Sequence, residues 1–555
     1  MKKNYQKKLK IFVVFGILFL GFCLRFYKVD SIPPGITMDE SSIGYNAYSV
    51  LKTGKDEYGK PFPIMFRSFA DYKLPVYFYL TVPFIKIFDL NVLSLRLPSV
   101  IAGTLSGFLI YFIVLQLFGK KRWRLACLSL IIYIFSPWSV HFSRVAFESN
   151  LALFFLLLAV YLQLISLEKG KWGLFLISSL IYCLAVYSYH TERFLSPIFL
   201  AGVTFFFYNR KREQEKIPKK IVILAFLIFF LISFPQYYFL KQAAGNTRIK
   251  STSIIKQEEI KEALHYPPQI LFLIERQLSL YVAYFSPRNL FFDPDPVKTR
   301  SAPEISTFYF WMVIPYLFGL YFLTLEKERK VKNFLIFLLL TSPIPAAFTG
   351  DPFASLRALP LIFPLSIIIG LGLEKLFCSR KILKITIPLF SLLLIFSLIF
   401  LSRSIFTLLF YEKYLDWNFG YSQLVEKINQ FSDFKVLFDD PVGDNYPEFL
   451  FFLRYPPIKF QQEQNLIDLK KYYQISEWKN TFNFGRIEVR AINWKKDIYE
   501  KKLIIASPIA ISEGQAKEHF LTKTFAIIAP DGKIVFNGYI TNPELKRQDE
   551  EKKRG

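Results

Sequence analysis

The sequence predicts a polytopic α-helical membrane protein that carries a small C-terminal α/β domain. Three observations predict this fold class: a series of long apolar runs, a hydrophobic fraction of 53%, and short basic clusters between the runs. Charged residues make up only 20% of the 555 residues, yet the net charge is +25. A soluble protein of this size is normally more polar and closer to charge balance. Because the basic residues lie between apolar runs, they indicate loops at an anionic membrane surface rather than a nucleic-acid interface.

Eleven apolar segments are predicted to cross the membrane as helices, since roughly 17–25 apolar residues span the hydrocarbon core. The segments are residues 11–29, 96–118, 124–139, 149–167, 172–189, 194–209, 219–240, 307–325, 332–348, 357–377 and 382–410. The shorter segment 74–88 contains Pro83 and Lys86, so we expect an interfacial helix there. The basic start "MKKNYQKKLK" is followed by no small-residue cleavage site, which indicates an uncleaved first span.

The charges of the loops predict the orientation in the membrane. Alternate loops are basic, as in "GKKRWR" at 119–124 and "NRKREQEKIPKK" at 209–220, and such loops normally face the cytoplasm. The N-terminus is then cytoplasmic, and an odd number of spans places the C-terminus outside. We therefore expect a multi-pass plasma-membrane protein whose outer segments include residues 30–95 and everything after about residue 410.

The sequence pattern changes after residue 410. Strand-like runs such as "FKVLFDD" alternate with helix-like segments, and Asp531-Gly532 between two strand-like runs indicates a hairpin. We expect residues 1–410, with the first outer loop 30–95, to form the transmembrane module. Residues 411–540 would then form an extracytoplasmic mixed α/β domain, and the highly charged residues 541–555 a disordered tail.

Ionisable side chains gather in the segments that are predicted to lie outside. Asp39 and Glu40 follow the first span, and Lys73 precedes the interfacial segment. The outer turns and span ends add His141, Arg144, Glu148, His190, Arg193 and Arg357. Such groups are costly near membrane depth and usually face a cavity or a partner, so their convergence on one side predicts a site.

Each candidate also has a plain structural interpretation. Asp39 and Glu40 are residues of a kind that caps helices. His190 suits a hydrogen-bonded turn, Arg357 suits contact with the lipid–water interface, and His141 and Arg144 suit a loop anchor. The choice between these alternatives depends on where the side chains lie.

Carboxylates together with Lys and Arg at a lipid interface suit transfer from an anionic lipid. When a prenyl-phosphate sugar reacts, the phosphate leaves as the bond to the anomeric carbon breaks, and cations must stabilise the developing charge. A carboxylate must accept the proton of the attacking hydroxyl. The sequence contains no Walker or Rossmann glycine motif, so nucleotide chemistry has no support.

Four stretches, in this order, resemble the GT-C glycosyltransferases: "MDESSIGYNAYSVLKTGK", "DYKLPVYFYLTVPFIKIFDLNVLSLRLPSVIAG", "SPWSVHFSRVAFESN" and "LRALPLIFPLSIIIGLGL". The resemblance is to the protein mannosyltransferase and aminoarabinose transferase group, which includes bacterial lipopolysaccharide-core transferases. It covers roughly residues 10–200, with weaker similarity to about residue 400. It implies the GT-C fold, with about 11 transmembrane helices plus interfacial helices, and a transferase that uses a polyprenyl-phosphate-linked sugar at the outer face.

The resemblance implies a role for several residues. Asp39 matches the first-loop acid that serves as catalytic base, and Glu40 stands beside it. Lys73 matches the Lys of the family's Lys-Pro-Pro, which binds the donor phosphate. The second family acid falls at Glu148, after Arg144, with Glu in place of Asp.

The chain departs from the family pattern next to this Lys. The family often has Glu before the Lys, and this chain has Tyr72; the second Pro is replaced by Leu74. A divalent metal is left open as a cofactor, without that Glu among its ligands. We further expect Lys73, Arg144, Arg193 and Arg357 to line one outer cavity for the donor phosphate, with His141 and His190 as substrate contacts.

The sequence thus predicts an integral membrane glycosyltransferase, a hexosyl- or pentosyltransferase that acts with inversion. It would move a sugar from a polyprenyl-phosphate donor to a lipid, glycan or protein hydroxyl on the extracytoplasmic side. The expected partners are this donor, this acceptor and membrane lipids, with no nucleic acid. The alternative is a transporter or flippase of an envelope precursor, although transporters place polar groups at the bilayer midplane. A scaffolding role of the outer domain is a second alternative.

Overall fold

The computed structural model describes residues 2–69, 71–210, 216–242, 259, 267–377, 380–464, 468–475 and 479–554. The chain divides into two compact units. The helical unit comprises Met1–Val29, Leu74–Tyr77 and Arg96–Thr407, and the mixed unit comprises Asp30–Lys73, Phe78–Leu95 and Leu408–Gly555. This division differs from the predicted one, because most of the first outer loop belongs to the unit that contains the C-terminal domain.

The helical unit is built from apolar helices. Their bounds are Lys2–Phe26, Val92–Phe118, Trp123–Phe135, Pro137–Ser143, Glu148–Lys169, Trp172–Val186, Glu192–Phe207, Lys219–Tyr238, Pro267–Ala283, Val313–Thr324, Arg329–Thr341, Ile344–Ala347, Ile362–Leu376 and Arg380–Arg403. Among the described residues, 7 helices are long and apolar enough to cross a membrane, or 8 if one bent pair counts as a single span. All eleven predicted segments are largely helical, and the predicted fold class is confirmed.

The remaining predicted spans are shorter or broken helices. Trp172–Val186 and Phe310–Thr324 are apolar but contain fewer than 18 residues each. The segment predicted as 124–139 bends by 56° between two helices. Ser136 explains this break, because its side chain accepts a hydrogen bond from the Ser139 amide and Pro137 starts the second helix. The predicted interfacial segment forms the helix Val76–Phe88.

Small residues allow two of the apolar helices to pack closely. A Cβ at Gly319 would lie 1.9 Å from the Ile368 carbonyl oxygen, and one at Gly372 would lie 1.9 Å from the Pro315 carbonyl oxygen. The helices Val313–Thr324 and Ile362–Leu376 therefore touch through their backbones, as is common where helices associate in membranes.

The mixed unit contains a two-stranded hairpin and a six-stranded sheet. The strands are β1 Phe66–Ser68, β2 Asp71–Lys73, β3 Lys435–Asp439, β4 Phe482–Phe484, β5 Ile487–Arg490, β6 Lys502–Ala506, β7 Thr522–Ile528 and β8 Ile534–Ile540. The sheet order is β4-β5-β3-β6-β8-β7, and β3 is parallel to both β5 and β6. The predicted hairpin at Asp531-Gly532 joins β7 and β8, with Gly532 at φ +85°.

Helices cover both faces of this sheet, because successive side chains along its strands point to opposite faces. Val436 and Phe438 of β3 pack into one core, and Leu437 packs into a second core on the other face. The longer helices of the mixed unit are Met38–Thr53, Tyr421–Asn429, Tyr446–Phe452, Pro457–Glu463, Glu513–Glu518 and Pro543–Arg554.

The last helix corrects the expectation of a disordered tail over 541–555. The helix Pro543–Arg554 begins with Pro at its first position and consists mainly of strong helix formers. Lys546 pairs with Glu550, and Lys553 pairs with Asp549 at 2.8 Å, each four residues apart. The Tyr499 hydroxyl donates to Glu550, which ties the helix to the rest of the mixed unit.

Candidate active site

The adjacent carboxylates Asp39 and Glu40 have different surroundings at the start of the helix Met38–Thr53. Thr37 caps this helix: its hydroxyl accepts from the Glu40 amide at 3.2 Å, and the Glu40 carboxylate accepts from the Thr37 amide at 3.2 Å. This reciprocal pair is a capping box. Glu40 is buried, whereas the Asp39 side chain is 65% exposed. The helix-cap alternative therefore accounts for Glu40, and it leaves Asp39 accessible.

Lys73 lies against Asp39. It is the last residue of β2, which pairs with β1 in the register Phe66↔Lys73. Its ammonium group donates to Asp39 Oδ1, and its own side chain is only 4% exposed. A buried ammonium group needs a nearby counter-charge, and Asp39 supplies it. The structure thus brings together the residues to which the resemblance gives the roles of base and phosphate ligand.

Other groups of the mixed unit fix the start of this helix. Ser42 shares a hydrogen bond of 2.8 Å with Ser68 of β1. Gly35 lies so close to the backbone of Trp417 that a Cβ on Gly35 would be 1.9 Å from the Trp417 carbonyl oxygen. Asn418 donates to the buried Glu448 at 2.9 Å. The position of Asp39 therefore depends on residues near the C-terminal sheet.

Glu448 is a functional candidate that sequence reasoning missed. Burial raises the pKa of its carboxyl group to about 8, although hydrogen bonds from its own amide, Asn418 and Ser41 partly oppose the shift. Ser41 belongs to the same first turn as Asp39. One signal was available in the sequence, since Glu448 is a lone acid within the apolar run "EFLFFL".

Tyr72 occupies the position where the family often has Glu. Its hydroxyl donates to the carbonyl oxygens of Tyr472 and Ile475, the latter at 2.7 Å. The phenol therefore anchors the hairpin and offers no carboxylate to a metal. Across the part of the chain that the structure describes, no three His, Cys, Asp or Glu side chains are grouped to hold a metal ion.

The helical unit contains a second charged cluster, formed by Arg300, Asp351 and Arg357. Arg300 donates to Asp351 Oδ2 at 2.9 Å, and Arg357 donates to the same oxygen at 2.8 Å. Burial alone would raise the pKa of Asp351, but the Arg300 hydrogen bond and the charges of both arginines outweigh it and lower the pKa. Two guanidinium groups facing one carboxylate leave a net positive charge that suits an anionic ligand.

His141 lies beside this cluster. Its Nε2 is 2.9 Å from the Thr299 carbonyl oxygen, which can only accept, so Nε2 carries the proton. His141, Asp295 and Arg300 line one small gap. Asp295 accepts hydrogen bonds from the Ser355 amide at 2.9 Å and hydroxyl at 2.5 Å, which joins the segments that contain Arg300 and Arg357.

Arg300 and Asp295 were also missed by sequence reasoning. They lie in the long outer segment "FFDPDPVKTR", which matches no motif. The two Asp-Pro steps predict turns there. They do not show that the turn meets residues 351–357.

The structure gives Arg144 a different role from the predicted phosphate contact. Its Nη1 donates to the carbonyl oxygens of Leu24, Arg25 and Tyr27 at 2.8–3.0 Å, and its Nη2 donates to that of Lys28 at 3.2 Å. These carbonyls lie in and just after the last turn of the helix Lys2–Phe26, where cations are favourable. The fully buried guanidinium group therefore caps that helix, which is the loop-anchor alternative.

The other candidates lie at helix starts in the helical unit. Arg193 is buried and donates to Gln236 Oε1 at 2.9 Å. His190 is half-buried in the turn before the helix Glu192–Phe207. Glu148 is half-buried and begins the helix Glu148–Lys169, where the helix dipole favours a carboxylate. Of the four cations predicted to line one cavity, Lys73 belongs to the mixed unit, and Arg144, Arg193 and Arg357 belong to the helical unit.

Comparison with known proteins supports the resemblance. Residues 72–239 match the family described as dolichyl-phosphate-mannose-protein mannosyltransferase. This segment contains Lys73, Arg144 and Arg193. Among curated proteins, none matches the chain significantly by sequence.

Solved structures share the fold along nearly the whole chain. ArnT from Cupriavidus metallidurans, in the apo state, is 12% identical, with 97% of this chain and 98% of that chain covered and a TM-score of 0.52. ArnT bound to undecaprenyl phosphate is 12% identical, with 96% and 98% covered and a TM-score of 0.53. The oligosaccharyltransferase of Archaeoglobus fulgidus, in a complex with Zn and sulfate, is 13% identical, with 94% and 72% covered and a TM-score of 0.50. The chain has the fold of these proteins, and the predicted resemblance is confirmed.

Proposed function

We propose that this GT-C-fold protein is an integral membrane glycosyltransferase. It moves a sugar, a hexosyl or pentosyl group, from a polyprenyl-phosphate-linked donor to a lipid, glycan or protein hydroxyl on the extracytoplasmic side. The family description and the ArnT complex with undecaprenyl phosphate support this donor class. The observation that carries the proposal is the contact between exposed Asp39, in the first turn of the helix Met38–Thr53, and buried Lys73, at the end of β2.

These two residues divide the chemistry between them. The acceptor hydroxyl attacks the anomeric carbon, and its proton passes to the Asp39 carboxylate. The bond from this carbon to the phosphate oxygen breaks, and the electron pair leaves on that oxygen. Lys73 stabilises the charge that develops there. Attack opposite the leaving phosphate inverts the anomeric configuration.

The remaining candidates take supporting roles in this proposal. Arg300 and Arg357 form the anion-binding pair of the helical unit, with His141 beside them. Glu148 is the second acid, while Arg193 and His190 are substrate contacts. Glu40 and Arg144 serve as helix caps.

The proposed orientation has the N-terminus in the cytoplasm and the C-terminal domain outside the plasma membrane. The basic loops such as 119–124 support it. A reporter that is active only in the cytoplasm, fused after residue 540, is expected to be inactive. An active fusion would contradict this orientation.

Mass spectrometry of envelope lipids and glycans tests the function. Cells are compared that carry the wild-type chain, the Asp39→Asn variant or no copy. If the protein is a transferase, one glycosyl mass increment should be missing both from cells without a copy and from cells that carry the Asp39→Asn variant. If the variant restores that increment, the protein acts without Asp39, as expected of a scaffold. Accumulation of unflipped donor in the cytoplasmic leaflet of the null strain alone would indicate a flippase.

A further inference from the structure

The C-terminal sheet of the mixed unit carries a cleft of about 850 Å³. Its walls come from residues 435 to 502, and none of them belongs to the candidate active site. Clefts that hold small ligands typically enclose roughly 300–1,000 Å³. The cleft is therefore large enough for a ligand of its own.

A network of ion pairs forms the floor of this cleft. Lys502 is buried and contacts Asp497 at 2.8 Å, Glu500 at 3.1 Å and Glu488 at 3.3 Å. Arg490 donates to both oxygens of Asp497, at 2.8 and 2.9 Å, and to Glu488 at 2.5 Å. Burial tends to raise the pKa of Asp497, but hydrogen bonds from Arg490 and Lys502 outweigh it and lower the pKa to about 2. The four Nη hydrogens of Arg490 and the ammonium group of Lys502 are thus engaged within the network, which holds the carboxylates of the floor in fixed positions as acceptors.

The rim of the cleft adds three exposed lysines, Lys435, Lys495 and Lys496. No ion pair is found for them within the described residues. Together with the floor, they give five cations against three carboxylates, a net charge of +2. The cleft therefore attracts anions, although its floor alone is slightly negative.

An aromatic plane forms one part of the wall. Trp494 lines the cleft, and its indole ring stacks on His519 with ring centroids 4.5 Å apart and an angle of 19°. The stack holds the indole in a defined orientation. Aromatic planes pack well against the apolar face of a sugar ring because they bury a large area at low entropic cost.

We propose that this cleft binds an anionic saccharide. The indole of Trp494 packs against a sugar ring, the fixed carboxylate of Glu488 accepts hydrogen bonds from its hydroxyls, and the rim lysines contact a carboxylate or phosphate substituent. Such binding goes beyond the proposed transfer, because it requires neither the donor nor Asp39.

Binding of tri-galacturonate to the full-length protein in nanodiscs tests the proposal, with maltotriose and inorganic phosphate as further probes. We expect tri-galacturonate to bind and the other two to bind at least about tenfold more weakly. The double variant Lys495→Glu, Lys496→Glu is expected to weaken tri-galacturonate binding by about tenfold or more, since charge-assisted hydrogen bonds are lost. Trp494→Ala is expected to weaken it as well.

The matched control is Lys517→Glu, Lys523→Glu, which makes the same charge change at exposed positions of the same unit outside the cleft. This control is expected to retain binding within about twofold. Equal losses in both double variants would mean that only net charge matters, and would overturn the proposal. Absence of tri-galacturonate binding, or equal affinity for maltotriose or for phosphate, would overturn it too. Sugar transfer measured in the same samples reports separately on the proposed function.

Discussion

The Asp39–Lys73 pair of the mixed unit and the Arg300–Asp351–Arg357 cluster of the helical unit arrange charge in opposite ways. In the pair, the carboxylate is 65% exposed and the cation is buried. In the cluster, two arginines that are 13–14% exposed converge on one oxygen of a single carboxylate. The pair has no excess charge, while the cluster keeps one positive charge.

This difference separates two tasks that the same residue types can perform. An exposed carboxylate can meet a hydroxyl and accept its proton. A carboxylate held by two guanidinium groups is a poor base because they stabilise its ionised form. Its function is to orient the arginines, whose forked donors suit phosphate. We therefore propose that Asp39 of the pair accepts the proton while Lys73 contacts the leaving phosphate, and that the cluster is a further anion site of the helical unit.

The largest effect is expected from Asp39→Asn. The amide keeps the size of the side chain and cannot accept the proton, so transfer should fall roughly 10²–10⁴-fold. The rate of transfer from a polyprenyl-phosphate sugar by purified protein provides the measurement. Glu40→Gln is the matched control at the neighbouring position. It should keep most of the activity, because Gln also completes a capping box. Equal losses in both variants would remove the distinction between the two carboxylates.

Next in size are Arg300→Ala and Arg357→Ala. Each removes one donor to Asp351, and each should lower kcat roughly 10²-fold if the cluster stabilises the leaving phosphate. Replacement by Lys should restore activity only in part, because the forked geometry is lost. Steady-state kinetics at varied donor concentration would show this. Wild-type kinetics for Arg300→Ala would exclude the cluster from catalysis.

Arg144→Gln should affect stability rather than chemistry. Loss of the guanidinium group leaves carbonyls at the C-terminal end of the helix Lys2–Phe26 without their donor, which should cost roughly 2–4 kcal/mol. Thermal unfolding in detergent measures this cost. The folded fraction should keep its kcat within a few-fold. A selective rise in the KM for the donor would instead support Arg144 as a phosphate ligand.

The last prediction concerns Glu448 and the dependence of stability on pH. Its pKa rises from 4.5 to about 8 on folding, so the folded state holds the proton more tightly. The resulting stability is full below about pH 4.5 and is lost as the pH rises to about 8, at about 1.4 kcal/mol per pH unit. Tm measured across this range should fall less steeply for Glu448→Gln than for the wild type. The exposed Glu513→Gln variant should follow the wild-type slope, and an unchanged slope in Glu448→Gln would contradict the assignment.

Local signals account for what the sequence predicted correctly. Apolar runs define the helices, and Asp531-Gly532 defines the β7–β8 hairpin. The break at Ser136-Pro137 was not predicted, although a capping Ser followed by Pro is a local signal for it. Asp39 and Lys73 were placed on one side of the membrane by the span layout and given roles by the family resemblance, whereas their direct contact was not predicted.

Contacts between distant segments account for what was missed. The first outer loop packs with the C-terminal domain because Gly44 lets the Phe451 ring approach the helix Met38–Thr53. The sequence around neither residue indicates this contact. Arg300 meets Asp351 through turns whose directions depend on the fold. Arginine is also a common phosphate ligand, so the residue type of Arg144 does not show its role. Only the positions of the carbonyls around it identify it as a helix cap.

The Gly44–Phe451 packing also bears on when the helix Met38–Thr53 finds its partners during synthesis. Tyr45, beside Gly44, donates to the Tyr455 carbonyl oxygen, a contact across 410 residues of chain. At roughly 5–20 residues per second, a ribosome needs about 20–80 s to supply that partner. Until then the helix that bears Asp39 lacks the surface it packs against. A nascent chain therefore completes the packing around Asp39, the proposed base, only near the end of translation, and a chain that stops before residue 455 lacks this support.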